Sequence, residues 1–366
     1  MNQSTIKTFD TPEWQRRFRN LLTDIKQQKC VVFLGPEIVK LNGTTVRQAL
    51  RDHLNDTNAD DIAHYYDRDG FFLFREKMAK EDVQREVVLF YEDHHTETDI
   101  AEGLFKQLAQ LKTHLVVSIN PDSFLSDVAY RYGIKHRFAY FQHGGAAVAE
   151  VEEPTAEMPL FYNLCGATDR DNSLVLDYED LFSLLSALLG SPGLPLKLKT
   201  ALQNAKHFLF IGFDFDKWYS QLLLRLLSGE KAIRKFAIDP SVKEDNTTVF
   251  LVKQFGIEFI EDEAAFLTEL FRQCAAQDLL RPIVEAQTPN AVRVIRHIQN
   301  GDLLKALTFA YENAKNADCK NDFTMLLAQY NDLQDRQRKG TLDNRDYSVQ
   351  LNKIIDALLE TLKTCF

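Results

Sequence analysis

The sequence lacks any run of about 18 apolar residues, the length that a helix needs to cross a bilayer. Its first residues, 1–10, are largely polar and do not show the charged and apolar pattern of a secretory signal peptide. The first absence excludes a helical membrane span. Together the two absences predict a cytoplasmic protein that does not bind a membrane.

Cysteine is scarce, and no Cys-x-x-Cys pair occurs. This spacing excludes a disulfide-rich secreted domain and a zinc ribbon, so we expect free thiols in a reducing compartment. The pair His94-His95, close to acidic side chains, has no regular ligand spacing, and we therefore predict no metal site. The five cysteines are Cys30, Cys165, Cys274, Cys319 and Cys365.

The chain also lacks an excess of basic residues. It has 43 lysines and arginines against 53 acidic residues, a net charge of −10 over 366 residues. Such a charge argues against general nucleic-acid binding, which needs a basic surface. The length suits about two domains.

Short apolar segments that alternate with amphipathic helices are what the sequence does contain. The first segment, Cys30–Leu34, runs directly into Gly35, as a buried parallel strand does when it ends in a tight turn. Alternating strands and helices predict a doubly wound, mostly parallel α/β sheet. The other predicted strands are 115–119, 138–141, 160–164, 208–213, 235–238 and 257–260.

Two other regions have a different pattern. Residues 44–111 predict an insertion made only of helices, which contains the aromatic cluster Phe71–Phe74. That cluster is interpreted either as part of a ligand pocket or as a core or partner-facing patch. After a linker at 282–289 the pattern is purely helical and predicts a bundle of about four helices. The predicted domains are therefore 1–281 and 290–366.

Polar residues follow the predicted strand at 115–119. Asn120-Pro121-Asp122 lies at the carboxyl end of that strand, which is the ligand-binding edge of a doubly wound sheet. A plain Asn-Pro turn is the alternative interpretation. His143 follows another strand, and it is either a surface-loop residue or part of a site.

Four strand ends together resemble the sirtuin-like domain of bacterial anti-phage and conflict systems. The sequence Leu-Gly-Pro-Glu-Ile-Val at 34–39 lies where that family has Gly-Ala-Gly-x-Ser. Ser-Ile-Asn-Pro-Asp at 118–122 is similar to its Thr-x-Asn-x-Asp, and Asn-Leu-Cys-Gly at 163–166 lies where it has Leu-His-Gly. Ile-Gly-Phe-Asp-Phe-Asp at 211–216 resembles its late Ile-Gly-x-x-x-x-Asp strand end.

The C-terminal segment, 290–366, resembles the helical effector-associated domains of bacterial defence proteins. The similarity is carried by Ile-Gln-Asn-Gly-Asp at 298–302, Tyr-Asn at 330–331 and Asn-Lys-Ile at 352–354. The resemblance implies an adaptor that binds a protein partner with a matching domain, and we expect a homo-oligomer.

The resemblance also implies NAD as the cofactor or substrate, and it assigns roles to residues of this chain. In the family an asparagine positions the attacking water or the ribose, a histidine is the general base, and the glycine loop holds the diphosphate. The implied catalytic residues are Asn120, Asp122 and Cys165, which takes the histidine's place. The implied cofactor-binding residues are Gly35, Pro36, Glu37, Asn120, Asp122, Gly166, Gly212 and Asp216.

This sequence departs from the family at the chemically important positions. Pro36 has no N–H to donate to a phosphate, and Glu37 adds a carboxylate beside the loop. Cys165 is a thiol that is mostly protonated at neutral pH, and loss of a general base typically costs about 10² to 10⁴ in rate. We therefore expect a degenerate module that binds NAD or a related nucleotide weakly or not at all. The alternatives are an active NAD hydrolase whose base is a histidine such as His143, and a purely structural oligomerisation unit.

Overall fold

A computed structural model describes residues 9, 11–41, 43–94, 102–144, 149–168, 173–213, 215–228, 233–238, 246–284, 287–299 and 301–366. Its contacts divide the chain into two compact units. One unit contains residues 1–126 and 135–282, and the other contains 127–134 and 283–366. The finer domain limits, 1–281 and 290–366, stay a prediction.

The secondary structure alternates between strands and helices as far as residue 276. The strands are β1 (Cys30–Leu34), β2 (Lys40–Leu41), β3 (Thr44–Thr45), β4 (Ile62–Tyr66), β5 (Phe71–Phe74), β6 (Leu115–Ser118), β7 (Arg137–Tyr140), β8 (Leu160–Asn163), β9 (His207–Ile211), β10 (Arg234–Ile238) and β11 (Ile257–Ile260). The helices among them are α1 (Pro12–Lys26), α2 (Val46–Thr57), α3 (Lys77–His94), α4 (Glu102–Gln110), α5 (Phe124–Arg131), α6 (Tyr178–Leu189), α7 (Leu196–Asn204), α8 (Trp218–Ser228), α9 (Asn246–Phe250) and α10 (Glu263–Ala276). A π-helical turn, Leu251–Phe255, follows α9.

Seven strands form one parallel sheet in the order β11-β10-β9-β1-β6-β8-β7. All five residues of the central strand β1 are buried, as expected for a parallel strand covered by helices on both faces. Phe33 pairs in register with Val117 of β6 on one side and with Phe210 of β9 on the other. The predicted doubly wound α/β fold is confirmed.

Helix α1 begins where the sequence predicts. Thr11 accepts a hydrogen bond from the Trp14 N–H, and Pro12 occupies the first helical position, where a missing N–H costs nothing. The apolar stripe of the helix is buried, and the ring of Phe18 stacks on that of Phe266 at 5.2 Å.

The insertion at 44–111 is not made only of helices, so that part of the prediction was wrong. β4 and β5 form an antiparallel hairpin joined by a turn that ends at Gly70, whose φ is +80°. The sequence here contains a hairpin signal: Tyr-Tyr, then Asp-Gly, then Phe-Phe. Aromatic residues favour strands, and Gly adopts the positive φ that tight turns need. The helical stripes on either side of these residues concealed that signal.

Residues 289–366 form the helices α11 (Pro289–Gln299), α12 (Leu303–Glu312), α13 (Ala317–Arg338) and α14 (Asn344–Cys365). The prediction of about four helices is confirmed for the described residues. Phe323 of α13 and Leu358 of α14 are fully buried in their core. None of the helices in the described part of the chain is both long and apolar enough for a membrane span.

Two of the five cysteines are not free, which corrects the prediction. Cys319 and Cys365 form a disulfide, with their Cα atoms 5.5 Å apart. The reason lies in the lengths of the helices: α13 and α14 have 22 residues each and are joined by a short turn. The first turn of α13 therefore meets the last turn of α14. The other three cysteines are free thiols.

Candidate functional site

The carboxyl ends of β1, β6 and β9 lie side by side, because these strands are neighbours in one parallel sheet. Asn120, just after β6, donates a hydrogen bond from Nδ2 to the carbonyl of Gly35, just after β1, at 3.0 Å. Thus the structure brings together two strand ends that the sequence singles out. The roles of these residues in binding or catalysis stay predictions.

A cavity of about 100 Å³ lies at this edge of the sheet. Four of the predicted site residues line it: Pro36, Asn120, Asp122 and Cys165. The rest of its wall is mainly apolar and aromatic, as in most small-molecule sites. Among the described residues, those that line it from the insertion are Val46, Arg47, Leu50, Tyr65, Gly70, Phe71, Phe72, Val87 and Tyr91.

The loop after β1 has no spare backbone donors from residue 35 to residue 38. The Gly35 N–H donates to the carbonyl of Ile211, and the Glu37 N–H donates to that of Gly212, both at 3.0 Å. The Ile38 N–H donates back to the Gly35 carbonyl at 3.4 Å, and Pro36 has no N–H. A phosphate cradle works through amide donors that point at the ligand, and here those donors are already used.

Gly35 and Gly212 are needed for the packing of one loop on the other. A Cβ on Gly35 would lie 2.1 Å from the Gly212 carbonyl oxygen, closer than any real contact. Gly212 has a φ of +61°, and a Cβ there would lie 2.5 Å from the Ile38 nitrogen. Contacts within the protein therefore explain why these two positions need glycine, and no ligand is required for that explanation.

Five predicted cofactor-binding residues do not line the cavity: Gly35 and Gly212, which pack on each other, and Glu37, Gly166 and Asp216. Glu37 is exposed, so its carboxylate does not enter the cavity. Gly166 packs against the backbone of Ser173, and a Cβ there would lie 1.9 Å from the Ser173 carbonyl oxygen. Asp216 is exposed in the turn before α8, and Asp214 lies outside the described residues.

Asn120 and Asp122 line the cavity, and each side chain also forms a hydrogen bond within the protein. The Nδ2 group of Asn120 is held by Gly35, but its Oδ1 accepts no bond from a described residue. Asp122 accepts the Phe124 N–H at 3.1 Å, which caps the start of α5. The Asn120 side chain can therefore contact a ligand through Oδ1 without leaving its place, and Asp122 contributes a carboxylate to the same wall.

Cys165 is a poor general base. Burial raises the pKa of its thiol to about 12, although the positive charge of Arg47 acts in the opposite direction. At neutral pH the sulfur is therefore protonated and cannot take a proton from water.

Among the described residues that line the cavity, no histidine is present to act as general base in place of Cys165. His143, the predicted alternative, bonds from its Nε2 to the Leu174 carbonyl at 3.0 Å and does not line the cavity. The sequence predicts no metal site at the pair His94-His95. In the structure His94 bonds through Nδ1 to the Phe90 carbonyl, and His95 lies outside the described residues.

Sequence reasoning missed the cavity's cation. Arg47 donates from Nη1 to the Tyr219 hydroxyl at 3.1 Å, and that hydroxyl donates to the Asp69 carbonyl at 3.1 Å. Arg47 is the second residue of α2 and lies between Thr45 and Gln48, the two residues of its capping box. A cation in the first turn opposes the helix dipole, and this local conflict was the available signal.

The aromatic cluster at Phe71–Phe74 combines the two interpretations given from the sequence. Phe71 and Phe72 are buried and line the cavity. Leu73 is 47% exposed. The change from buried to exposed comes along the length of β5 and not by alternation, because the neighbours Phe71 and Phe72 are both buried and the exposed Leu73 follows them.

Comparison with known proteins bears on both units. A search of curated proteins found no match to the chain. Residues 114–260 match the model of the SIR2-like domain, and residues 289–364 match the model of effector-associated domain 11. The chain therefore carries a SIR2-like domain followed by an effector-associated domain, the architecture that its strand-end motifs and its helical segment predict.

Proposed function

We propose that this chain is a degenerate sirtuin-like module of a bacterial defence or conflict system. It binds NAD or a related nucleotide weakly or not at all and does not hydrolyse it. A protein partner with a matching adaptor domain docks on residues 290–366, and the chain works as a homo-oligomer in the cytoplasm. The pairing of a SIR2-like domain with an effector-associated domain supports a role in such a system.

One observation carries the proposal that the module is degenerate. The backbone donors of the loop after β1 are consumed by hydrogen bonds within the protein, to Ile211, Gly212 and Gly35. A diphosphate placed there would have to break these bonds, and an unpaired buried backbone group costs about 1–3 kcal/mol. The protonated thiol of Cys165 supports the same proposal, because it supplies no base.

The test is incubation of the full chain with NAD at high protein concentration, with nicotinamide measured by chromatography. We expect the wild type to release no more nicotinamide than Asn120→Ala. Brisk release that Asn120→Ala abolishes, with an unchanged melting temperature, contradicts the proposal. The melting temperature matters because Asn120 also holds the Gly35 carbonyl.

An active NAD hydrolase is the second candidate, favoured because Asn120 and Asp122 line one cavity together. The incubation above separates it from the degenerate module. A purely structural oligomerisation unit is the third. Calorimetric titration with NAD and with ADP-ribose identifies that case, in which neither compound gives a saturable heat.

A further inference from the structure

Arg47 is a cation in the cavity wall with no anionic partner among the described residues. Its one hydrogen bond to a described residue is to the neutral hydroxyl of Tyr219, and no described carboxylate forms an ion pair with it. Its charge reaches across the cavity, since it influences the pKa values of Tyr65, Tyr91 and Cys165. A partly buried guanidinium usually has a carboxylate or phosphate beside it, so this one is prepared for an anion from outside the chain.

Two further donors line the same cavity. The phenol hydroxyls of Tyr65 and Tyr91 bond to no described residue. Burial raises the pKa of both phenols, so both keep their protons at neutral pH and can donate. Because the amide donors of the β1 loop are used within the protein, Arg47 and these two hydroxyls replace them as the donors open to an anion.

Asp122 and Asn120, which also line the cavity, restrict what else the ligand can carry. A carboxylate disfavours a second anionic group, whereas it accepts hydrogen bonds from hydroxyls, as does the free Oδ1 of Asn120. A cavity of about 100 Å³ holds roughly seven to ten waters, at about 10–15 Å³ for each. A phosphorylated sugar is of this order of size, and a dinucleotide is several times larger.

We infer that the cavity binds a sugar phosphate, with the phosphoryl group on Arg47, Tyr65 and Tyr91 and the sugar hydroxyls on Asn120 and Asp122. This inference rests on the proposed function, in which the site binds a nucleotide-related ligand without cleaving it. It names the part of such a ligand that the cavity recognises.

The experiment is calorimetric titration of the full chain, at low salt, with ribose 5-phosphate, ribose and inorganic phosphate. We expect saturable binding of ribose 5-phosphate, weaker binding of inorganic phosphate and none of ribose. Arg47→Gln should weaken ribose 5-phosphate binding about tenfold or more, because charge-assisted bonds to phosphate are the strong ones. The affinity of Arg47→Lys should lie between those of the wild type and Arg47→Gln, since lysine keeps the positive charge but cannot donate the two parallel hydrogen bonds of a guanidinium.

The matched control is Arg85→Gln on α3, where the arginine is exposed and pairs with Asp82. It should bind like the wild type.

If Arg47→Gln does not fold, Tyr65→Phe decides, because it removes one donor atom and should weaken binding several-fold. The inference is overturned if ribose binds as well as ribose 5-phosphate, if inorganic phosphate binds as tightly, or if Arg47→Gln and Tyr65→Phe leave binding unchanged. Nicotinamide release tests the proposed function separately, and either result can fail while the other stands.

Discussion

At the scale of single residues, glycine and proline in the β1 loop determine whether a ligand can use its backbone. Gly35 lies against the Gly212 carbonyl, and Pro36 next to it has no N–H. The loop of a phosphate-binding fold is open to the ligand, whereas this loop is closed against the neighbouring strand end. The same glycine that suggests a nucleotide site in the sequence is thus used for packing in the structure.

Gly35→Ala should destabilise the protein strongly. Its Cβ would meet backbone atoms 2.1–2.6 Å away, and backbone cannot move aside as a flexible side chain can. We expect a loss of about 3 kcal/mol in the free energy of unfolding, at the upper end of what overpacking costs. Urea unfolding measures it. The control is Gly103→Ala in α4, where a Cβ meets nothing within 4 Å and should be neutral or slightly stabilising.

Sequence reasoning found only part of the site, and the reason is physical. Asn120 and Asp122 could be predicted because the ends of parallel strands meet at one edge, and Cys165 because it lies where the similar family has its histidine. Arg47 and Tyr91 come from helices of the insertion, and only tertiary packing brings them to that edge. Glu37 was expected beside a phosphate, but sequence cannot tell which side of a tight loop a side chain takes.

At the scale of elements, long periodic segments were the most predictable. The seven strands of the sheet and the helices after residue 289 follow directly from apolar spacing. The short hairpin of β4 and β5 was missed, because a few residues of alternation carry less signal than the helices beside them. The disulfide was missed for a different reason: odd, widely spaced cysteines are compatible with free thiols until helix lengths are compared.

The disulfide between α13 and α14 should stabilise the ends of both helices. Cys319 and Cys365 are 46 residues apart, and closing a loop of that length is worth about 4 kcal/mol in the chain-entropy model. We expect reduction with a dithiol to speed hydrogen exchange in the last turn of α14 and the first turn of α13. Exchange in β1 should not change, which makes that strand an internal reference.

The double variant Cys319→Ser with Cys365→Ser is the control for this prediction. It should exchange like the reduced wild type, and the dithiol should have no further effect on it. Peptide mapping of protein purified without reductant should recover the two cysteines as one linked pair. Free thiols at both positions, or equal exchange with and without dithiol, would show that the bond does not form in solution.

At the scale of the whole molecule, net charge and buried histidines make opposite predictions about acid. The chain has a net charge of −10 at pH 7 and a pI near 5.5, so lowering the pH reduces the repulsion among its charges. Burial acts the other way at His114, which is 4% exposed and whose Nδ1 has no hydrogen-bond partner among the described residues. Burial lowers the pKa of His114 to about 4, from an ordinary value of 6.5.

The sign for His114 follows from which state binds the proton. Between pH 6.5 and pH 4 the unfolded chain protonates this histidine and the folded chain does not, so stability is present above pH 6.5 and falls below it. The loss is about 1 kcal/mol at pH 5.5 and about 3 kcal/mol at pH 4.5. Burial also lowers the pKa of His207, which adds to the same trend. Exposed charges are screened and contribute less, so we expect stability to fall towards the pI.

His114→Gln separates the two effects, because it removes the titrating group and leaves the net charge at pH 7.5 unchanged. Urea unfolding at pH 7.5, 5.5 and 4.5 should show a smaller loss of stability for this variant than for the wild type, by about 1 kcal/mol or more at pH 5.5. The matched control, exposed His64→Gln, should keep the wild-type slope. A wild type that gains stability between pH 7.5 and pH 5.5 would mean that the chain's charge, and not its buried imidazoles, sets the response to acid.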